Sequence, residues 1–245
     1  MNSTSKLVVI SGAGLSAESG ISTFRDANGL WHNHRIEEIC HARTWRMNFE
    51  KVHTFYNMRR TQLGVVQPNA GHHALARWEA MYDTTHFTQN IDNLLERADV
   101  QRPLHLHGFL TRLNCQKCDS EWDIGTRAWD YEKEVCPRPT CRSRLDVKPS
   151  VVFFGEMAPM YRPLEETLLS MTRNDVLLVI GTSGAVLPIM DIAERHSGPK
   201  ILNNLHSERL IPEKLFNHVF IEGITTAVSK IEAVLATLLK PKLAA

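Results

Sequence analysis

Short strand-like runs recur along the chain at Leu7–Ser11, His86–Thr88, Pro103–Leu106, Val151–Phe154, Val176–Ile180, Lys200–Leu202 and His218–Ile221. Helical patterns lie between several of them, at Ala70–Met81, Asp92–Ala98, Leu164–Met171, Ile189–His196 and Thr225–Leu239. A strand that passes through a helix into another strand must cross over the sheet, which makes the strands parallel and lays helices on its faces. The pattern therefore predicts an α/β fold, a doubly wound and mostly parallel sheet with ligand sites at the carboxyl ends of its strands. Two stretches break the alternation. Residues 31–69 have helical periodicity, and 109–149 hold cysteines, tryptophans and prolines. The expected organisation is one domain over 1–245, with a large lobe from about 1–30, 70–108 and 150–245 and a smaller lobe from the two insertions. The tail Lys240–Ala245 is expected to fray.

Four of the five cysteines fall as Cys115-x2-Cys118, seventeen residues, then Cys136-x4-Cys141. Paired cysteines in a chain with an odd total and no secretion-type leader read as a metal site rather than a disulfide scaffold. Four thiolates suit one tetrahedral Zn²⁺, and a closed set without an open position suits a structural ion. The 109–149 insertion is thus expected to be a zinc ribbon, with a metal compensating for its small core. Only six residues precede Leu7, too few for a leader peptide, and no apolar run approaches the ~20 residues that span a bilayer. With 22% charged residues and a net charge of +1, no basic stripe calls for direct nucleic-acid binding or a membrane. A cytoplasmic location is the expectation, and nothing in the sequence speaks to oligomeric state.

The first apolar run enters Gly12-Ala13-Gly14, then Ala17, much as the Rossmann-like turn that cradles a dinucleotide pyrophosphate does. Beyond Ala17 the chain departs from the pattern of a hydride-transfer enzyme. It continues as Ser19-Gly20-Ile21-Ser22-Thr23-Phe24-Arg25-Asp26, without the acidic ribose anchor expected roughly 20 positions on. Further polar clusters stand after other strands: Thr88-Gln89-Asn90-Ile91-Asp92-Asn93, Gly181-Thr182-Ser183-Gly184 and Asn203-Asn204. Each could be a turn or a helix cap, whereas together they suit a ligand lying across a switch point. In Leu104-His105-Leu106-His107-Gly108, alternation puts both histidines on one side of an extended segment, where one near a sugar could serve as general base.

These motifs in this order resemble the sirtuins, NAD-dependent protein lysine deacylases. The resemblance runs from Gly12-Ala13-Gly14 through Phe24-Arg25, Gln89-Asn90-Ile91-Asp92, His107-Gly108, the four cysteines and Phe154-Gly155-Glu156 to Gly181-Thr182-Ser183 and Asn204. It implies NAD as a consumed co-substrate and one structural zinc on Cys115, Cys118, Cys136 and Cys141. A mobile loop from Ala17 to Trp31 would close over the nicotinamide ribose, with Phe24 shielding the reacting face and Arg25 ordering the loop and phosphates. Gly12, Ala13, Gly14, Gln89, Ile91, Gly181, Thr182, Ser183, Asn204 and Thr225 would complete the NAD site. The acyl oxygen would attack the ribose as nicotinamide leaves, and His107 would act as base through the ribose hydroxyls. Asn90 would place a water or the ribose, and Asp92 the nicotinamide carboxamide or the loop. Products would be free lysine, nicotinamide and O-acyl-ADP-ribose. An acyl-lysine protein or peptide would add as a strand between Val152–Gly155, including Phe154, and Gly184–Leu187, including Val186.

Tyr56 and Arg59 stand three apart, on one face of a helix. The pair matches the Tyr-x-x-Arg of the sirtuin branch that accepts succinyl and malonyl groups. A guanidinium fork pairs a carboxylate with charge-assisted bonds and the phenol adds a donor; a core tyrosine beside a solvated arginine is the plainer alternative. Cys40 aligns where that branch carries a small residue that opens the pocket, or it is a buried thiol. His206 stands where many relatives carry glutamate, Ser22-Thr23 where Pro-Asp is frequent, and Gly223-Ile224-Thr225 only loosely resembles the adenine-contacting turn. The rival readings are a sirtuin-like NAD hydrolase or ADP-ribosyltransferase, which needs no acyl pocket, and a non-enzymatic zinc-ribbon module, which needs no Asn90, Asp92 and His107.

Overall fold

A computed structural model describes residues 5–22 and 35–242. Six parallel strands form the main sheet: β1 (Lys6–Ser11), β2 (Asp83–Thr88), β3 (Leu104–His105), β7 (Val176–Ile180), β8 (Lys200–Asn204) and β9 (His218–Ile221). Their order is β3-β2-β1-β7-β8-β9, so the chain winds outward from β1 in one direction and from β7 in the other. This is the doubly wound topology expected from the alternation, with its switch point between β1 and β7.

Buried on both faces, the central strands are continuous apolar runs rather than alternating ones. Leu7, Val9, Leu178 and Ile180 pack with Trp78 and Leu75 of α4 (Ala70–Met81) and Ile231 and Leu235 of α8 (Ile224–Leu238). Val8, Ile10, Leu177 and Val179 face the other way, onto Leu164 of α6 (Tyr161–Ser170) and Ile189 and Ile192 of α7 (Ile189–Arg195). The start of α4 is set by Asn69, whose side chain accepts the Gly71 and His72 N–H groups while His72 Nδ1 accepts the Asn69 N–H. Among the described residues, no helix is long and apolar enough to cross a membrane.

A second sheet is antiparallel and three-stranded, in the order β5 (Glu121–Asp123), β4 (Gly108–Cys115), β6 (Val147–Val151). Here the expectation for Val151–Phe154 is corrected. The strand lies earlier and belongs to this small sheet, because its partner is β4 rather than a parallel neighbour. The helical insertion contains α2 (Ile36–Ile39) and α3 (Phe49–Val65). α3 is tied to the small sheet by Arg60 Nε donating to the Leu110 carbonyl at 2.8 Å and by the His53 ring meeting the Val147 carbonyl at 3.0 Å.

Candidate active site

The switch point is built by backbone contact. Gly12 N–H donates to the Ile180 carbonyl at 2.9 Å and Gly14 N–H to the Gly181 carbonyl at 2.8 Å. A Cβ on Gly14 would stand 2.6 Å from Gly181 Cα, and one on Gly181 would stand 2.4 Å from the Leu15 nitrogen. Gly181 also has φ +62°, where a side chain is disfavoured. These glycines let the β1 and β7 turns touch.

The polar strand-end loops form one network. Gln89 Nε2 donates to Thr182 Oγ1 at 3.0 Å; Thr182 N–H donates to Asn204 Oδ1 at 3.0 Å, and Asn204 Nδ2 returns to the Thr182 carbonyl at 2.9 Å. The ends of β2, β7 and β8 are thereby stitched together. The Thr225 N–H is taken by Glu18 Oε2 at 2.9 Å, which fixes the start of α8 against the turn after α1 (Gly14–Ala17). Ala13 precedes α1 and Ala17 ends it, and Ser183 is half-buried beyond Thr182.

Ser16 is the hub that joins Asn90 to Asp92, and the sequence reading misses it. Its hydroxyl donates to Asp92 Oδ2 at 2.9 Å and accepts from Asn90 Nδ2 at 3.1 Å. The His72 Nε2 lies 3.3 Å away. Because His72 Nδ1 accepts the Asn69 N–H, its proton sits on Nε2 and points at Ser16. Burial pushes the His72 pKa down to about 3, so this donor stays neutral. Burial also raises the Asp92 carboxyl, opposed by the bonds it accepts from Leu94 N–H and Ser16. Ile91 is half-buried on the same loop.

His105 and His107 part company. The strand stops at His105 and the chain turns at Leu106 and His107, so the alternation expected to align them does not persist. His105 is buried, with Nδ1 on the Asn90 carbonyl at 2.7 Å and Nε2 on Glu96 Oε1 at 2.8 Å. It props the loop from beneath. His107 is half-buried with Nδ1 3.0 Å from the Gln89 carbonyl and Nε2 2.9 Å from the Tyr161 hydroxyl. A carbonyl only accepts, so the proton is on Nδ1 and the Nε2 lone pair accepts from Tyr161. Burial lowers the His107 pKa, against the Gln89 bond. The ring is a neutral base at pH 7.

Tyr56, Arg59 and Cys40 gather in one core between α3 and the Phe153 segment. Tyr56 stacks on Phe153 at 5.9 Å between centroids, and its hydroxyl reaches Cys40 Sγ at 3.5 Å. Arg59 is only 7% exposed, not solvated as the plainer alternative holds. It donates to Gln62 Oε1 at 2.7 Å and the Ser22 carbonyl at 3.4 Å. Burial lowers its pKa to about 10, opposed by the Asp92 charge, so it is a cation at neutral pH. Burial raises both the Tyr56 phenol and the Cys40 thiol, keeping them protonated.

Beside this core, Val152 N–H donates to the His107 carbonyl at 2.9 Å. Phe154 donates to the Cys40 carbonyl and accepts from Ala42 N–H, in a parallel bridge with His41. Both backbone groups of Phe154 are engaged there, while its side chain, Gly155 and Val186 are exposed. Phe24, Arg25 and Trp31 lie outside the described residues.

The four cysteine sulfurs all lie within 4.8 Å of one another, with Cys115–Cys141 at 3.7 Å and Cys118–Cys136 at 3.6 Å. A zinc tetrahedron with bonds of about 2.3 Å has sulfur–sulfur edges of about 3.8 Å. The set fits one structural zinc.

Residues 12–188 match the model of the Sir2 family. An NAD-dependent protein deacylase of Helicobacter hepaticus is 42% identical over 249 aligned residues, covering 93% of this chain and 96% of that protein. A Sir2 homologue solved as its NAD complex is 31% identical with a TM-score of 0.80, covering 96% of this chain and 91% of that one. A Sir2 homologue mutant solved with 2′-O-acetyl ADP-ribose superposes with a TM-score of 0.82 at 31% identity, covering 98% and 96%. With the switch-point glycines, the strand-end network and the cysteine tetrad joined in that one architecture, the chain belongs to the Sir2 family.

Proposed function

We propose that this chain is an NAD-dependent protein-lysine deacylase that removes acetyl groups and also the acidic succinyl and malonyl groups. The observation that carries the reading is His107, held with Nδ1 on the Gln89 carbonyl and Nε2 turned away from it, beside the loop that bears Asn90 and Asp92. Bound NAD supplies the ribose carbon attacked by the acyl oxygen as nicotinamide departs, and the products are free lysine, nicotinamide and O-acyl-ADP-ribose.

The chain's own contribution is placement and proton transfer. Gln89 holds His107 by Nδ1, so the opposite nitrogen takes the proton of a ribose hydroxyl. Ser16 fixes the Asn90 and Asp92 side chains toward each other, which sets a hydrogen-bonding edge for a carboxamide or a ribose. Gly12, Gly14 and Gly181 let the turns after β1 and β7 meet backbone to backbone, and the phosphates would lie along that glycine-rich edge. The Arg59 cation, braced by Gln62, is the group an acyl carboxylate would pair with, and Tyr56 lies one helical turn away.

The test is His107→Ala with an acetyl-lysine peptide. The reading expects deacylation to fall at least about 100-fold, the usual scale for losing a general base, with zinc content and melting temperature retained. Deacylation at the wild-type rate would contradict it. Nicotinamide released without any acyl peptide would instead favour the hydrolase reading.

A further inference from the structure

One contact of His107 bears directly on that proton transfer. The lone pair of Nε2, the nitrogen that has to take the ribose proton, is already occupied by the Tyr161 hydroxyl at 2.9 Å. A neutral imidazole nitrogen has a single in-plane lone pair and accepts one strong hydrogen bond. A substrate hydroxyl must therefore either displace the phenol or act through it.

Displacement is the harder course. Tyr161 is the first residue of α6, its N–H donates to the Ala158 carbonyl at 3.1 Å, and its ring packs against the Leu106 and Leu164 core. The ring also meets the His107 imidazole at 5.9 Å between centroids. This packing sets the half-buried phenol beside His107, and its oxygen can still accept a second hydrogen bond.

We propose that Tyr161 relays the proton between the NAD ribose and His107. The ribose O–H bond breaks as the phenol oxygen takes that proton, and the phenol's own proton passes to Nε2. Tyr161 ends as a neutral phenol, His107 as an imidazolium and the ribose oxygen as the nucleophile. This rests on the reading of His107 as the base.

The experiment is Tyr161→Phe, which keeps the ring and removes only the hydroxyl, with His107→Ala alongside. In the ligand-free protein, ring-nitrogen NMR of His107 reads the contact directly. The described hydrogen-bond partners of this ring are the Gln89 carbonyl and Tyr161. Loss of a donor to the neutral form raises the midpoint of its titration, and the Nε2 resonance moves. With NAD and an acetyl-lysine peptide, net deacylation is compared with exchange of labelled nicotinamide into NAD, which reports the step before the base acts. The relay predicts that net deacylation falls about 10- to 100-fold and that exchange falls less, so their ratio shifts at least tenfold. A misplaced fold would lower both together and would overturn the relay. So would an unmoved His107 resonance, or deacylation within twofold of wild type while His107→Ala is inactive. Wild-type deacylation by His107→Ala would remove the base itself, and the relay with it.

Discussion

At the scale of single residues, the site depends on side chains that have little freedom to be anything else. Arg59 is a buried cation that feels the Asp92 charge but whose described hydrogen bonds go only to neutral groups, Gln62 and the Ser22 carbonyl. Charge-assisted bonds to a carboxylate are worth about 1.5–3 kcal/mol, so Arg59→Met should lower the succinyl-to-acetyl ratio of kcat/KM by about 10- to 150-fold. An equal loss with both peptides would dismiss the carboxylate clamp, since acetyl needs no cation. Gly14→Ala is a backbone collision with Gly181 Cα. It should cost about 1–3 kcal/mol of stability and weaken NAD binding, read by urea denaturation and calorimetric titration; wild-type values in both would deny the close approach. The legibility of the site divides at this scale. Gly12, Asn90, Asp92 and His107 stand out in the sequence as candidates because each sits in a short ordered motif. Ser16 and Tyr161 do not, since the partners that give them meaning lie 76 and 54 positions away. No local spacing encodes such a contact.

At the scale of elements, what is readable is what is locally determined. α4 runs over Ala70–Met81 as its periodicity and its Asn69 cap dictate. The central strands track their apolar runs. β4 and β5 are hidden in the sequence because Gly108–Cys115 and Glu121–Asp123 mix polar and apolar residues and become strands through pairing with each other and with β6. That small sheet has a core of only a few side chains, Leu113, Ile124, Trp129 and Val147 beside the cysteines. Its integrity should therefore depend on the metal. The purified protein should carry one zinc per chain. Cys136→Ser should lose it, lower the melting temperature and take the activity with it, because β4 begins immediately after His107. Full activity in a protein verified as zinc-free by mass spectrometry would contradict a structural role.

At the scale of the whole molecule, burial of histidine sets the response to acid. His53, His72 and His86 are all essentially inaccessible, and burial pushes each pKa down to about 3. Unfolded, each titrates near its ordinary value of about 6.5. Between those values the unfolded chain binds more protons, so stability is full above about pH 6.5 and is lost as pH falls. Each group costs about 1.4 kcal/mol per pH unit, and the three together about 4. Set against total stabilities of about 5–15 kcal/mol, unfolding is expected at mild acidity, near pH 5. A melting temperature that stays flat down to pH 4.5 would show that these rings are protonated in the folded state.

In the catalytic reading, NAD and an acyl-lysine meet across the β1–β7 switch point. Mass spectrometry of a single peptide, carrying either acetyl- or succinyl-lysine and incubated with and without NAD, tests that most directly. Both groups are expected to be removed only with NAD, with O-acetyl- and O-succinyl-ADP-ribose appearing beside nicotinamide. Both peptides unchanged while nicotinamide accumulates would contradict it.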